Sequence, residues 1–118
     1  MEYVSPSFAA VAPTTDYAAK AWGSVTYSAG TPTLQASYNV SGITDAATGS
    51  LVVLFDTDFA TANYSVVAYC EASGGATPLV VFTESAAQSA GSVTIRCANL
   101  AGTAADPLRI NFVAFGAQ

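Results

Sequence analysis

Thr33-Leu34-Gln35-Ala36-Ser37-Tyr38-Asn39-Val40 alternates apolar and polar side chains without a break: Leu34, Ala36, Tyr38 and Val40 against Thr33, Gln35, Ser37 and Asn39. A period of two places successive side chains on opposite faces of an extended chain, so the stretch predicts a half-buried β-strand. Comparable short apolar runs occupy 21–27, 51–55, 64–71, 79–84, 92–98 and 108–115. Between them lie Ser28-Ala29-Gly30-Thr31-Pro32, Thr44-Asp45-Ala46-Ala47-Thr48-Gly49, Ala72-Ser73-Gly74-Gly75-Ala76-Thr77-Pro78 and the segment 85–91, all rich in residues that turn the backbone cheaply. Seven short strands so punctuated predict an all-β fold, an antiparallel β-sandwich with a jelly-roll-like path. In 64–71 both faces are substantially apolar, Tyr64, Val66, Ala68 and Cys70 on one and Ser65, Val67, Tyr69 and Glu71 on the other. That pattern predicts cover on both sides, from the core and from a neighbouring subunit.

Residues 1–19 read differently. Ser5-Pro6-Ser7, Ala9-Ala10-Val11-Ala12-Pro13 and Thr14-Thr15-Asp16 carry neither a two-residue nor a 3.6-residue period, which predicts an extended N-terminal arm ahead of a β-sandwich domain over 20–118. A helix from Asp16 to Trp22, with Asp16 as its cap, is at most one turn, because so short a helix is marginal without tertiary support. The start, Met1-Glu2-Tyr3-Val4-Ser5-Pro6, has an early acid and no basic region before an apolar run, unlike a secretory signal. No apolar window approaches the roughly 18–20 residues that span a bilayer, so membrane insertion is not expected.

The chain has 118 residues, 52% of them hydrophobic, enough for one domain with its own core. Net charge is −5 and the only cations are Lys20, Arg96 and Arg109, too few to neutralise a run of phosphates. Nucleic acid is therefore not an expected partner. Only 9% of residues are charged, which points to a surface partly covered by copies of itself or by a larger assembly; an uncharged surface of Ser, Thr, Asn and Ala is the plainer alternative.

Reactive groups are scarce. Histidine is absent and there is a single lysine, so the many serines have no obvious base beside them. Asp56-Thr57-Asp58 is the one tight carboxylate pair; a hard cation takes about six to eight oxygens, and no further carboxylate lies close in sequence to complete such a cage. The pair reads more simply as a solvated strand end. Cys70 and Cys97 lack metal-binding spacing and are too few for a disulfide framework. They are read either as two buried free thiols or as one cross-strand bridge. Asn39-Val40-Ser41 and Asn63-Tyr64-Ser65 match the glycosylation acceptor pattern and are taken as chance matches or strand edges. Trp22, the six Tyr and the six Phe are expected mostly in the core, a sugar-binding platform being the rival use of their flat faces. No catalytic residue, cofactor site or metal site is expected.

Lys20-Ala21-Trp22-Gly23, then Ala36-Ser37-Tyr38-Asn39-Val40-Ser41-Gly42-Ile43-Thr44-Asp45, Gly49, Phe55 and Asn63-Tyr64-Ser65-Val66-Val67, resemble a β-rich module of bacteriophage tail-fibre and related virion proteins. Asn99 through Gly102, Asp106-Pro107 and Ile110-Asn111-Phe112-Val113-Ala114-Phe115-Gly116 look like its closing strand, so the resemblance covers about 20–117. Gly23-Ser24-Val25 departs from the bulkier run of that module, and only about nineteen residues stand where a fibre shaft is usual. The resemblance implies a non-enzymatic virion protein assembled in the host cytoplasm, a homotrimeric short tail or head fibre or knob whose residues 1–19 dock on another virion protein. The alternatives are a capsid decoration protein and a carbohydrate-binding receptor-recognition module. In the latter, 72–78 or 99–107 would present contacts to a host-surface glycan. An enzyme acting on glycans would need paired carboxylates, for which Asp56 and Asp58 are the available pair.

Overall fold

The computed structural model describes residues 18–72 and 77–118. It contains eight strands: β1 (Ala19–Ser28), β2 (Thr31–Tyr38), β3 (Val40–Ala47), β4 (Ser50–Phe55), β5 (Ser65–Glu71), β6 (Leu79–Thr83), β7 (Ser92–Asn99) and β8 (Arg109–Phe115), with a short 3-10 turn at Ser85–Ala87. They form two four-stranded antiparallel sheets, ordered β2-β1-β8-β5 and β3-β4-β7-β6. The antiparallel sandwich expected from the sequence is present. The strand order, in which β1–β2, β3–β4 and β6–β7 are plain hairpins, does not itself display the jelly-roll-like path expected with it. Most of the expected arm lies outside the described residues, and Ala19 to Trp22, where one helical turn was conceivable, already belong to β1.

Two local features correct the reading of the founding stretch. Asn39 sits at φ 58°, a left-handed conformation that Asn tolerates better than most residues. It ends β2, and the very next residue starts β3 in the other sheet, so the expected strand 33–40 stops at Tyr38, Val40 begins a strand the sequence reading did not expect, and the turn assigned to 44–49 shrinks to the two residues after Ala47. The Asn39 amide secures the crossing. Its Nδ2 donates to the carbonyls of Lys20 and Thr57, both at 3.0 Å, and its Oδ1 accepts from the Thr57 N–H at 2.6 Å. The second feature is a bulge: Ser24 pairs with Ala36 while Val25 pairs with Leu34, leaving Gln35 as the extra residue. A one-residue insertion reverses which face the following residues occupy, so Leu34 packs against the core but Ala36 and Tyr38 point outward.

Between the sheets lie Ala21, Val25 and Tyr27 of β1, Leu51, Val53 and Phe55 of β4, Val93, Ile95 and Cys97 of β7, and Ile110, Phe112 and Ala114 of β8. All four strands are central in their sheets. Gly23 shares the inner face because the Phe112 ring crosses it; a Cβ built there would lie 2.5 Å from Phe112 Cζ. At one end Phe59 and Tyr64 stack, centroids 4.1 Å apart, and both meet Phe55 edge-on. The core reading of the aromatics holds for these three. The β2 and β3 edges are joined through Asn39, whereas on the opposite side β5 and β6 remain edge strands flanking a cleft of about 310 Å³ lined by Val66, Val67, Ala68, Val81, Phe82 and Thr83.

Gly49 closes the β3–β4 hairpin at φ 69°, and its N–H donates to Asp106 Oδ1 at 2.8 Å while its carbonyl accepts from the Cys97 N–H at 2.9 Å. A Cβ there would run into the Cys97 carbonyl and the Ala105 amide. Gly102 has a similar φ of 86° with open space around it. Gly49→Ala should therefore lose clearly more stability in urea titration than Gly102→Ala, whose loss is limited to backbone strain of about 1–3 kcal/mol. At the crossing, Asn39→Gly keeps the left-handed backbone and loses only the amide contacts, each net about 1 kcal/mol. Asn39→Ala loses both, so the midpoints should fall in the order wild type, Asn39→Gly, Asn39→Ala; an Ala variant as stable as the Gly variant would refute this account of the crossing.

Candidate functional site

The outer face of the β1 sheet is where the described surface departs most from an ordinary solvated one. Because side chains alternate, the register brings Val67 of β5, Val113 of β8, Trp22 of β1 and Tyr38 of β2 into one transverse row. Three inter-strand gaps make that row about 14 Å long. Val67 is 61% exposed, Tyr38 57% and Trp22 41%. The next row is Tyr69, Asn111, Ser24 and Ala36, in which Tyr69, 58% exposed, accepts a hydrogen bond at the hydroxyl from Asn111 Nδ2 at 2.7 Å. A shallow depression of about 220 Å³ runs between β5 and β8, bordered by Val67, Tyr69, Asn111 and Val113.

Charge is confined to the border of this face. Arg109 pairs with Glu71 at 3.3 Å one row beyond Tyr69, and both groups are exposed, so the pair contributes little stability. At the other end Lys20 Nζ donates to the Gly116 carbonyl at 2.6 Å. The third cation, Arg96, pairs with Glu84 on the outer face of the β4 sheet. There Val80, Phe82 and Leu54 are exposed as well, but Ser50, Ser92, Thr94 and the ion pair interrupt them. The continuous apolar row belongs to the β1 sheet alone among the described faces.

The residues singled out from the sequence fall elsewhere. Asp56 and Asp58 are exposed beyond the end of β4, and among the described residues no group of three His, Cys, Asp or Glu gathers as a metal set would. Asn39 uses its amide to hold the crossing, while Asn63 is exposed just before β5. The loop over 99–107 is folded onto itself: Asn99 Oδ1 accepts from the Ala101 and Thr103 N–H groups, both at 2.9 Å, and Asp106 reaches Gly49. Of 72–78, residues 73–76 lie outside the described residues. Cys70 and Cys97 both point between the sheets as free thiols.

One half of the apolar row was visible as the doubly apolar pattern of 64–71, whose outward members Val67 and Tyr69 are as expected. The other half was not, because the Gln35 bulge turns Tyr38 outward beside Trp22. Chemically this surface offers flat apolar contact and one amide–phenol pair. It suits association with another apolar surface or with the face of a sugar ring. Comparison with family models, with curated proteins and with solved structures finds no match to this chain.

Proposed function

We propose that this chain is a non-enzymatic structural protein of a bacteriophage virion: a short tail or head fibre or knob, homotrimeric, docked on the particle through residues 1–19 and touching the host surface. The observation that carries this reading is the transverse row Val67, Val113, Trp22 and Tyr38 on a sheet face that no other described element covers. Contiguous exposed apolar patches with a polar border are characteristic of surfaces that become covered by a partner. A face so poor in charge, on a chain with only three cations, favours packing against a like surface over electrostatic capture of a charged partner. The resemblance of the segments around Trp22, Asn39 and Val66 to virion fibre modules supplies the setting.

The second reading, a capsid decoration or carbohydrate-binding receptor-recognition module, is favoured by the Tyr69–Asn111 pair beside Val67 and Val113. Flat apolar contact next to fixed hydrogen-bonding groups is the chemistry that orients a sugar ring.

Trp22 is the only tryptophan in the chain, which makes its fluorescence a reporter for the outer face. Light scattering coupled to size exclusion should give a mass near three times 11.9 kDa, with Trp22 emission shifted to the blue and shielded from acrylamide on assembly. Trp22→Asp should return the mass to 11.9 kDa while keeping the strand signature in circular dichroism, since an exposed substitution ordinarily changes stability by only about 0.5 kcal/mol. A wild-type monomer with a solvent-quenched Trp22 at all concentrations would reject the self-assembled fibre.

Docking is tested separately. Because β1 begins at Ala19, a chain lacking residues 1–17 should retain the sandwich and its thermal midpoint within a few degrees. It should fail to appear in particles assembled in the phage host. Full incorporation of the shortened chain would remove the docking role.

A further inference from the structure

Cys70 and Cys97 come from opposite sheets. Cys70 lies on β5 in register with Ile110, and Cys97 lies on β7 in register with Val81, so each side chain is on the inner face of its strand. Both belong to one packed cluster, Cys97 at 1% exposure within it and Cys70 half-buried against it. β5 and β6 are the stacked edge strands on the open side of the sandwich, and Cys97 sits one strand in from β6.

We infer that Cys70 and Cys97 form a disulfide site, a covalent clasp between the two sheets that closes when the folded chain meets an oxidant of the small-molecule disulfide class. The inference stands apart from the virion reading, for it rests only on two thiols sharing the inter-sheet space near the β5 and β6 edges.

The chemistry runs as two exchanges. The more accessible Cys70 attacks as thiolate on one sulfur of the oxidant, forming a mixed disulfide and expelling the first thiolate. Cys97 then loses its proton and attacks Cys70 Sγ, expelling the second. Two protein S–H bonds and one oxidant S–S bond break, the protein S–S bond and two small-molecule S–H bonds form, and the protons of the two cysteines end on the two released thiols. The order of attack follows from burial. The Cys97 thiol is pushed up to about 12, first by burial, then by the neighbouring Cys70 thiol and by Asp106, so little of it is thiolate at neutral pH. Cys97 attacks from the same packed cluster of the same chain, which makes its step intramolecular.

A closed bridge joins positions 70 and 97 and so encloses the crossover to β6, β6 itself and the 3-10 turn. Restricting that loop in the unfolded chain should raise the thermal midpoint by on the order of 10 °C. The full-length folded protein is incubated with oxidised glutathione, quenched with an alkylating reagent, and read by intact mass and by non-reducing peptide mapping. The expected product has no alkylatable thiol, is lighter by two hydrogens, yields one peptide pair linked through Cys70 and Cys97, and melts about 10 °C higher than the reduced protein. Cys70→Ala should show neither the linked pair nor the gain in melting temperature. A stable glutathione adduct on Cys70 with Cys97 still free would overturn the inference. So would two unchanged thiols, provided refolding from urea in the same glutathione buffer also leaves them unlinked. That refolding arm separates a closed core from a geometry that does not permit the bond.

Discussion

A left-handed backbone at Asn39 forces the chain out of one sheet and into the other within a single residue. An L-residue pays for that conformation, and Asn39 offsets the cost locally with three hydrogen bonds from its own amide group to Lys20 and Thr57. Those contacts tie the start of β1 and the segment after β4 to the crossing, so the two sheets are aligned at the same point where the chain passes between them. The remaining crossings between the sheets are longer, nine residues from β4 to β5, seven from β5 to β6 and nine from β7 to β8 between the strand ends; the first is held by backbone bonds from Asp56 to Asn39, Phe59 to Ala90 and Ala60 to Ala117. Pairing of β1 with β8 and of β4 with β7 then builds the four central strands whose inner side chains make the core.

The same geometry leaves an asymmetry. One flank of the sandwich is sealed by the Asn39 crossing, while the other presents the β5 and β6 edges, the cleft between them and, just inside, the two thiols. Edge strands are where a sandwich is most open to local loosening and to pairing with another chain. A bond between Cys70 and Cys97 would therefore act at the flank formed by these two edge strands. The sandwich is asymmetric in a second sense: the apolar row on the outer face of the β1 sheet runs across all four strands, whereas the outer face of the β4 sheet is broken by an ion pair and hydroxyls. Assembly through the first face would leave the second turned to water.

How far the sequence could be read depended on the range of the physics involved. Turns were legible because they are local: Ala29 and Gly30 both take positive φ in the β1–β2 hairpin, as a tight two-residue turn with the right twist requires. The inner face of β5, with Val66, Ala68 and Cys70, followed from alternation alone, as did the apolar character of its outer face. Alternation misled for Ala36 and Tyr38, because a bulge is a property of two strands in register and leaves no trace in the single strand that carries it. Likewise the Asn39 sequon and the Asp56–Asp58 pair were recognisable as patterns, but the roles of these side chains depend on what the fold sets beside them.

The sequence by itself determined that this chain folds as antiparallel β-structure, where most of its strands and turns fall, that it carries only three cations, and that histidine chemistry is unavailable to it. These depend on composition and on neighbours along the chain. Tertiary structure alone decided that the chain changes sheet at Asn39 and forms a further strand after it, that Tyr38 joins Trp22, Val113 and Val67 in one outward row, and that Cys70 and Cys97 both face the space between the sheets. Each of these joins residues from separate strands, and the pairing of strands is set by the packing of both sheets at once, which no one-dimensional period encodes.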